Sequence, residues 1–358
     1  MTKYDVSIEE VTKVETKGLQ YSYLTVKFSG KSVNVVLINT LRRVLFDNIP
    51  THAFPLECIT VEKNKNSSVF NNDYMRLRLT QLPIINTKLD LSYLPAKYWH
   101  NIDFSKEREF HPQEKRIEIY INSTNTTDTV YDVTTSDIKY YEDGELVHNK
   151  YNQEFPIVLI ELRPTEIFSC HMTSALGTGE KNAIWSCVSN VFYKIDGDDI
   201  VMTLESNGQF NEYELLWKAT RFMHEKMEEL KETISQQKQL TKIKEVELIL
   251  DNETYTIGGI LTDILQNMDV VIYAGVTKPN QLVKSIMLRI EYNKELDDPY
   301  KPIYEAIQYI IGLMNHMEKQ IYKIGEKYLT IDKKEESKKE KKTESKKEVK
   351  KSSKKTTK

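Results

Sequence analysis

Two stretches of the chain show a strand pattern followed by a helix pattern. In the first, LQYSYLTVKFSG (19–30) alternates apolar and polar residues, which predicts a strand. Apolar residues from Val33 to Leu45 then recur at helical spacing and predict a helix. Ser32 is suited to cap the start of this helix. Pro50 predicts its end, because the residue before a proline avoids the helical conformation.

The second stretch repeats this order near the other end of the chain. VELIL (246–250) predicts a strand, and a helix capped by Thr256 is expected to follow it. Two further strand patterns come next, at 270–276 and 285–292, with a turn between them. The helical spacing is carried by Ile257, Ile260, Leu261, Ile264 and Leu265.

Each half also ends in a long amphipathic pattern, near 210–238 in the first half and near 302–328 in the second. Apolar stripes of this kind need apolar partners. The simplest partners are the two helices themselves. The sequence therefore predicts that the two halves pack as a pseudo-symmetric pair within one chain, and no homo-oligomer is expected.

The region between the first helix and the middle of the chain has a different character. Its short alternating segments are punctuated by Asn, Asp, Gly and Pro, which predicts a mostly β insert. The predicted fold class is therefore α+β. The expected parts are a first module at 1–53 plus 164–240, an insert domain at 54–163, a second module at 241–331 and a tail at 332–358, with a linker near 235–245.

Length and composition fit an intracellular protein of two or three domains. The chain has 358 residues, of which 39% are hydrophobic and 29% charged. No apolar run approaches the roughly 20 residues that span a bilayer. The first residues are charged and lack the apolar core of a signal peptide.

The net charge of −3 conceals a strong asymmetry. Residues 332–358 hold 13 lysines and 6 acidic residues, a net charge of +7, so the rest of the chain carries −10. This tail has too few apolar residues to form a core and is expected to be disordered. It is either a solvated tail or an electrostatic contact with nucleic acid or an acidic partner.

The sequence offers no catalytic constellation, and no cofactor or metal is predicted. The seven histidines lack metal-ligand spacing, and the cysteines, Cys58, Cys170 and Cys187, form no CxxC pair. The GxG in 177–183 has no third glycine and no phosphate-binding lysine at the right positions. The acidic cluster IDGDDI (195–200) lies between two strand patterns, which favours a hairpin turn.

Several motifs of the first half are similar to those of one protein family. NTLRRVLFDNIPTHAF (39–54) resembles the signature of the alpha-like subunits of cellular RNA polymerases, the bacterial alpha subunit and the third-largest subunit of eukaryotic RNA polymerase II. DYMRLRLTQLPI (73–84) resembles the segment that follows, and VYDVTTSDI (130–138) the insert-domain signature. Residues 161–194 resemble the return into the dimerisation domain.

The second half resembles the partner of that subunit. Residues 251–279 and 298–314 are similar to the eleventh subunit of RNA polymerase II. The resemblance implies two alpha-like dimerisation modules fused in one chain, as in polymerases of large nucleocytoplasmic DNA viruses. Three features depart from the family: the zinc-binding cysteine cluster has no counterpart, Cys187 stands where a proline is usual, and Tyr255–Gly259 replaces His-Thr-Leu-Gly-Asn.

The resemblance also implies roles for individual residues. In alpha-like subunits the helix that carries the Arg42-Arg43 pair helps to dock the second-largest subunit, and the planar guanidinium suits that role. The implied subunit-interface residues are Asn39, Arg42, Arg43, Trp185 and Gly258. The implied intramolecular dimer core is formed by Leu37, Leu41, Val44, Leu45, Ile257, Ile260, Leu261 and Ile264.

The expected function is a non-catalytic assembly platform of a multisubunit DNA-directed RNA polymerase. Its expected partners are the largest and second-largest subunits and small polymerase subunits, with nucleic acid contacted only indirectly or through the tail. The first alternative is a free-standing nucleic-acid-binding protein that acts through the basic tail, with steep salt dependence. The second is an α+β enzyme, which would need a converging acid–base pair. The cytoplasm, a virion and the nucleus are the candidate locations.

Overall fold

A computed structural model describes residues 4–15, 22–65, 70–85, 87, 89–95, 98, 102–104, 106, 110–237 and 243–329. The predicted tail at 332–358 lies outside the described residues, as does the middle of the predicted linker. Among the described helices, none is long and apolar enough to cross a membrane.

Helices and strands alternate along the chain largely as the apolar pattern predicts. The helices are α1 (Val35–Asp47), α2 (Asn72–Thr80), α3 (Glu212–Gln237), α4 (Tyr255–Gln266) and α5 (Lys301–Gly325). The strands before the middle of the chain are β1 (Ser7–Glu15), β2 (Ser22–Ser29), β3 (Thr51–Ala53), β4 (Ile59–Lys65), β5 (Ile117–Thr124), β6 (Tyr131–Thr134), β7 (Lys139–Glu142) and β8 (Glu145–Val147). The later strands are β9 (Val158–Leu162), β10 (Ile167–Thr173), β11 (Ala175–Gly177), β12 (Val188–Asp196), β13 (Asp199–Ser206), β14 (Ile243–Asp251), β15 (Val271–Thr277) and β16 (Ser285–Leu296).

The first half combines α1 and α3 with an antiparallel sheet of order β1-β2-β13-β12. Helix α1 is capped by Asn34, whose Oδ1 accepts from the Leu37 amide at 2.8 Å, and not by Ser32 as predicted. The reason is tertiary, because the Ser32 hydroxyl accepts a hydrogen bond from the backbone amide of Asp5. The predicted hairpin at IDGDDI is confirmed: Gly197, with φ of +66°, lies in the turn between β12 and β13.

The second half places α4 and α5 with an antiparallel sheet of order β14-β16-β15. Helix α4 begins one residue earlier than the predicted cap, so Thr254 occupies the N-cap position and Thr256 lies in the first turn. Helix α5 carries Pro302 near its start, where its missing N–H removes no helical hydrogen bond.

The long helices of the two halves pack against each other. Helix α3 lies along α5, and α1 contacts both α3 and α4, so the buried apolar side chains of both halves form one continuous cluster. Polar contacts bridge the same helices. The indole Nε1 of Trp217 donates to Glu318 Oε1 at 3.1 Å, and Nη1 of Arg221 lies 3.7 Å from the same oxygen.

A second apolar cluster lies under a sheet of order β4-β10-β5-β7-β8. This sheet extends past the predicted end of the insert at residue 163, because β10 lies between β4 and β5. The pairing joins segments more than 40 residues apart, so the local pattern could not reveal it. Strands β3 and β11 pair where the chain leaves the first half and returns to it.

A segment within the predicted insert packs instead on the first half. Leu89, Tyr93 and Leu94 belong to the apolar cluster around α3. The ammonium group of Lys218, on α3, donates to the carbonyls of Leu89 and Leu91. The lysine side chain is buried, and burial lowers its pKa. This segment therefore fastens the insert to α3.

Candidate protein-docking surface

The apolar face of α1 is turned inward. The buried residues among those assigned to the dimer core are Leu37, Leu41, Val44, Leu45, Ile257, Ile260 and Leu261. Ile264 is half-buried at the edge of the same cluster. The remaining face of α1 carries the two arginines.

Arg42 lies half-buried in a stripe with Asn39 and Phe46, one helical turn on either side. Its Nε donates to Asn39 Oδ1 at 3.0 Å, and its guanidinium carbon lies 6.0 Å from the centroid of the Phe46 ring. Among the described residues, its other N–H donors have no protein acceptor. This guanidinium is positioned by two neighbours and keeps its fork free for a partner.

Arg43 has a different environment on the same helix. Its Nε donates to Thr256 Oγ1 on α4 at 2.9 Å, and its terminal nitrogen donates to Asp47 Oδ2 at 3.1 Å. Burial raises the pKa of Asp47, and the positive charge of Arg43 opposes that shift. Arg43 therefore links α1 to α4 within the chain.

Trp185 is only 3% exposed. Its Nε1 donates to the carbonyl of Ala175 at 2.9 Å, and its own carbonyl accepts from the Thr51 hydroxyl. Its ring packs closely on Gly177 of β11. These contacts hold the junction of β3 and β11, so any contribution of Trp185 to binding at the stripe of Asn39, Arg42 and Phe46 would be indirect.

Gly258 is buried on the inner face of α4. A Cβ added there would lie 2.6 Å from Val276 Cγ2 and 2.9 Å from Ile286 Cδ1, whereas one at Gly259 would meet no atom within 4 Å. The absent side chain allows α4 to approach its sheet, so Gly258 too would affect a partner only indirectly.

The two adjacent glycines give a matched test of this packing. Gly258→Ala is expected to lower the free energy of unfolding by about 1–3 kcal/mol, because the added methyl overpacks the contact with β15 and β16. Gly259→Ala should raise it by up to about 1 kcal/mol, since alanine favours the helix. Denaturant unfolding of both variants checks the pair, and equal effects would contradict the packing role.

Cys187 occupies the position where the family motif has a proline. Its thiol donates to the carbonyl of Leu45 at 3.1 Å, in the last turns of α1. Burial raises its pKa to about 12. The sequence showed the replacement but not this contact, which fixes the end of α1 to the loop before β12.

A raised thiol pKa makes stability depend on pH in a defined direction. The unfolded thiol ionises near pH 8.5, so Cys187 stabilises the fold fully below that pH and loses this effect as pH rises toward 12. Between pH 8 and 10, the wild type should lose about 1–2 kcal/mol more unfolding free energy than Cys187→Ala. Unfolding free energies are measured by denaturant unfolding. Equal losses in the wild type and in Cys187→Ala would contradict a raised pKa for the Cys187 thiol.

An open cleft of about 350 Å³ lies between α2 and the loop before β12. Six of its eleven lining residues are apolar: Pro55, Leu56, Leu77, Phe104, Ile184 and Trp185. The other five are Glu57, Thr80, Gln81, Lys181 and Asn182. Leu77 is 58% exposed, and Tyr74, one turn before it, is also exposed. The apolar pattern of this short helix did not single out these residues, because exposure depends on what packs beside them.

The described part of the chain contains no group of three or more His, Cys, Asp or Glu side chains that could hold a metal ion. The acidic residues Asp196 and Asp199 face each other across the β12–β13 hairpin, and Asp199 pairs with Lys27 at 2.6 Å. The arrangement is that of a surface turn with an ion pair. The arginine stripe and the apolar cleft are thus the features that bear on function.

Comparison with known proteins finds similarity to RNA polymerase subunits. Residues 245–320 match the RNA polymerase Rpb3/Rpb11 dimerisation domain. The chain is also similar to a protein of Acanthamoeba polyphaga mimivirus named as a DNA-directed RNA polymerase subunit. The two share 27% identity over 321 residues, which cover 82% of this chain and 89% of the viral protein.

Two cellular proteins are similar over shorter stretches. Subunit 3 of the Arabidopsis thaliana RNA polymerases II, IV and V is 25% identical over 53% of this chain and 58% of its own length. The Schizosaccharomyces pombe RNA polymerase II subunit RPB3 is 25% identical over 49% of this chain and 60% of its own length. These matches and the domain match confirm the resemblance drawn from the motifs.

Proposed function

We propose that this chain is the assembly platform of a multisubunit DNA-directed RNA polymerase. The proposal rests on its similarity to alpha-like polymerase subunits and on its match to the Rpb3/Rpb11 dimerisation domain. In this proposal both alpha-like modules are fused in one chain and form an intramolecular pseudo-dimer. The proposed modules are 1–53 with 164–240, interrupted by the insert at 54–163, and 241–331. The sheet of the insert also takes in β10 from the returning chain. The chain itself contributes no catalytic residue to the polymerase.

The observation that carries the proposal is the shared core of the two halves. The matched dimerisation domain spans α4 and α5, and in this chain those helices pack against α1 and α3 of the first half. A partner for the dimerisation surface is thus already present in the same polypeptide. The mimivirus relative, which aligns over most of its length, supports a single chain of this extent.

The proposed docking surface for a large subunit is the stripe of Asn39, Arg42 and Phe46 on α1. Arg42 presents donors that no described residue uses, and a guanidinium can bind a carboxylate or several carbonyls at once. Arg43, Trp185 and Gly258 stabilise this surface indirectly, through contacts with other residues of the same chain. The apolar cleft beside α2 is the proposed place for a small polymerase subunit.

Co-purification of the tagged full chain from producing cells at high salt tests the proposal. We expect two very large chains in near-equal amounts, identified by mass spectrometry. The alternative function, nucleic-acid binding through the 332–358 tail, is favoured by its net charge of +7. In that case the chain would be recovered alone, or with nucleic acid that high salt removes. The complex is expected to act inside cells or in virions.

A further inference from the structure

The outer face of the five-stranded sheet in the insert carries an unusual set of side chains. The inner face is apolar and covers the second cluster, with Ile117, Ile119 and Ile121 buried. Along each strand, side chains point alternately to this inner face and to the outer face, here called the aromatic face. The central residues of the aromatic face are Thr60, Glu62, Lys63, Arg116, Glu118, Tyr120, Asn122, Lys139, Tyr141, Ser169 and His171, with Lys65, Thr124, Ile167 and Thr173 at its margins.

Three rings stand side by side on the aromatic face. Tyr120 and His171 are cross-strand neighbours whose rings stack with centroids 4.2 Å apart and planes at 15°. Tyr141 meets Tyr120 edge-on, with centroids 5.3 Å apart. On the other side of His171 the register partner is Thr60, which is exposed and small. The stack therefore ends beside a position that a further planar group can occupy.

Positive charge surrounds these rings, although the body of the chain is acidic. Lys63, Lys65 and Lys139 are exposed, and within the described part of the chain none of them has an ion-pair partner. The carboxylate of Glu118 accepts from the Arg116 guanidinium at 2.8 Å and lies 3.4 Å from His171 Nε2. A second carboxylate, that of Glu62, accepts from the Ser169 hydroxyl at 2.8 Å on the same face. Among the described residues, neither carboxylate forms an ion pair with these lysines.

Charge and ring chemistry together identify the ligand class. Among the described residues of the aromatic face, the aliphatic side chains are Leu146 and Ile167, and both lie at its margins. Docking surfaces for proteins usually have an apolar centre, so this face does not have the composition of a protein interface. Aromatic rings, lysines and an amide such as that of Asn122 are the groups that sheets use to bind unpaired bases and phosphates. We propose that the aromatic face binds single-stranded nucleic acid, with a base added to the Tyr120–His171 stack.

The proposal is independent of subunit docking, so it is tested on the purified full chain. Fluorescence anisotropy would compare three labelled probes of about 20 units: a single strand, the matching duplex, and an abasic strand with the same phosphates. The single strand should bind at least about tenfold more tightly than the other two, because stacking contributes about 1–3 kcal/mol per base. Equal binding of all three probes would overturn the proposal.

Variants assign the binding to the aromatic face. Tyr120→Ala combined with His171→Ala should weaken single-strand binding about tenfold or more, without changing abasic-strand binding. Lys63→Gln with Lys139→Gln should reduce the salt slope by about 0.7 per lysine. The matched control is Phe192→Ala with Lys194→Gln, an exposed aromatic and lysine on β12.

The lysines of residues 332–358 are the same in every variant, so their contribution cancels in these comparisons. Circular dichroism and thermal unfolding would show that each variant is folded. If the aromatic-face variants bind the single strand as tightly as the control does, the aromatic face is not the binding site.

Discussion

Arg42→Ala is expected to weaken binding of the large polymerase subunit by about 2–5 kcal/mol, a loss of at least 30-fold. The guanidinium is positioned by Asn39 and lies over Phe46, so it meets a partner with little further loss of side-chain freedom. Truncation would leave the partner's acceptors buried and unpaired, which is the larger part of the cost. Recovery of the large subunits with the tagged variant, at several salt concentrations, measures the effect.

Arg43→Ala is the matched control one residue away. It removes the hydrogen bond to Thr256 and an exposed ion pair with Asp47, so it should lower the free energy of unfolding by no more than about 1 kcal/mol. We expect it to retain most of the docking that Arg42→Ala loses. Both variants should remain folded. Normal recovery of the large subunits with Arg42→Ala would remove Arg42 from the docking surface.

Ile310→Asp is expected to destabilise the whole chain by about 4 kcal/mol or more. Ile310 is fully buried on α5 within the apolar cluster that the two halves share. A carboxylate there loses its hydration and gains no partner. The loss is large beside the roughly 5–15 kcal/mol that stabilises an ordinary domain. Denaturant unfolding should show both halves losing structure in one shifted transition.

Trp217 is a suitable reporter for this experiment, because it lies on α3 and bonds to Glu318 of α5. The tryptophan fluorescence, to which Trp99 and Trp185 also contribute, and the far-ultraviolet circular dichroism should change at the same denaturant concentration. Gln308→Asp, at an exposed position two residues earlier on α5, is the control and should change stability by less than about 0.5 kcal/mol. If circular dichroism showed two separate transitions, one for each half, the shared core would not couple the halves.

Local pattern was sufficient for the elements that have one apolar face. The helices at 35–47, 255–266 and 301–325 lie where periodic apolar residues predicted them, because each buries a single stripe against a neighbour. The hairpin at 195–200 was predictable for a related reason, since its turn residues lie between two alternating segments. Capping residues were less predictable, because a competing tertiary hydrogen bond can engage a side chain, as Asp5 does at Ser32.

Most helices and strands, the distribution of charge and the resemblance to polymerase subunits follow from the amino-acid order. Only the tertiary contacts show that β10 joins the insert sheet and that Lys218 fastens a segment of the insert to α3. They also show that Arg43 is engaged by Thr256 and Asp47, whereas the terminal nitrogens of Arg42 have no acceptor among the described residues. The physical reason is distance along the chain. Burial periodicity is local and visible in a few turns, whereas strand pairing and side-chain partners join residues far apart in sequence.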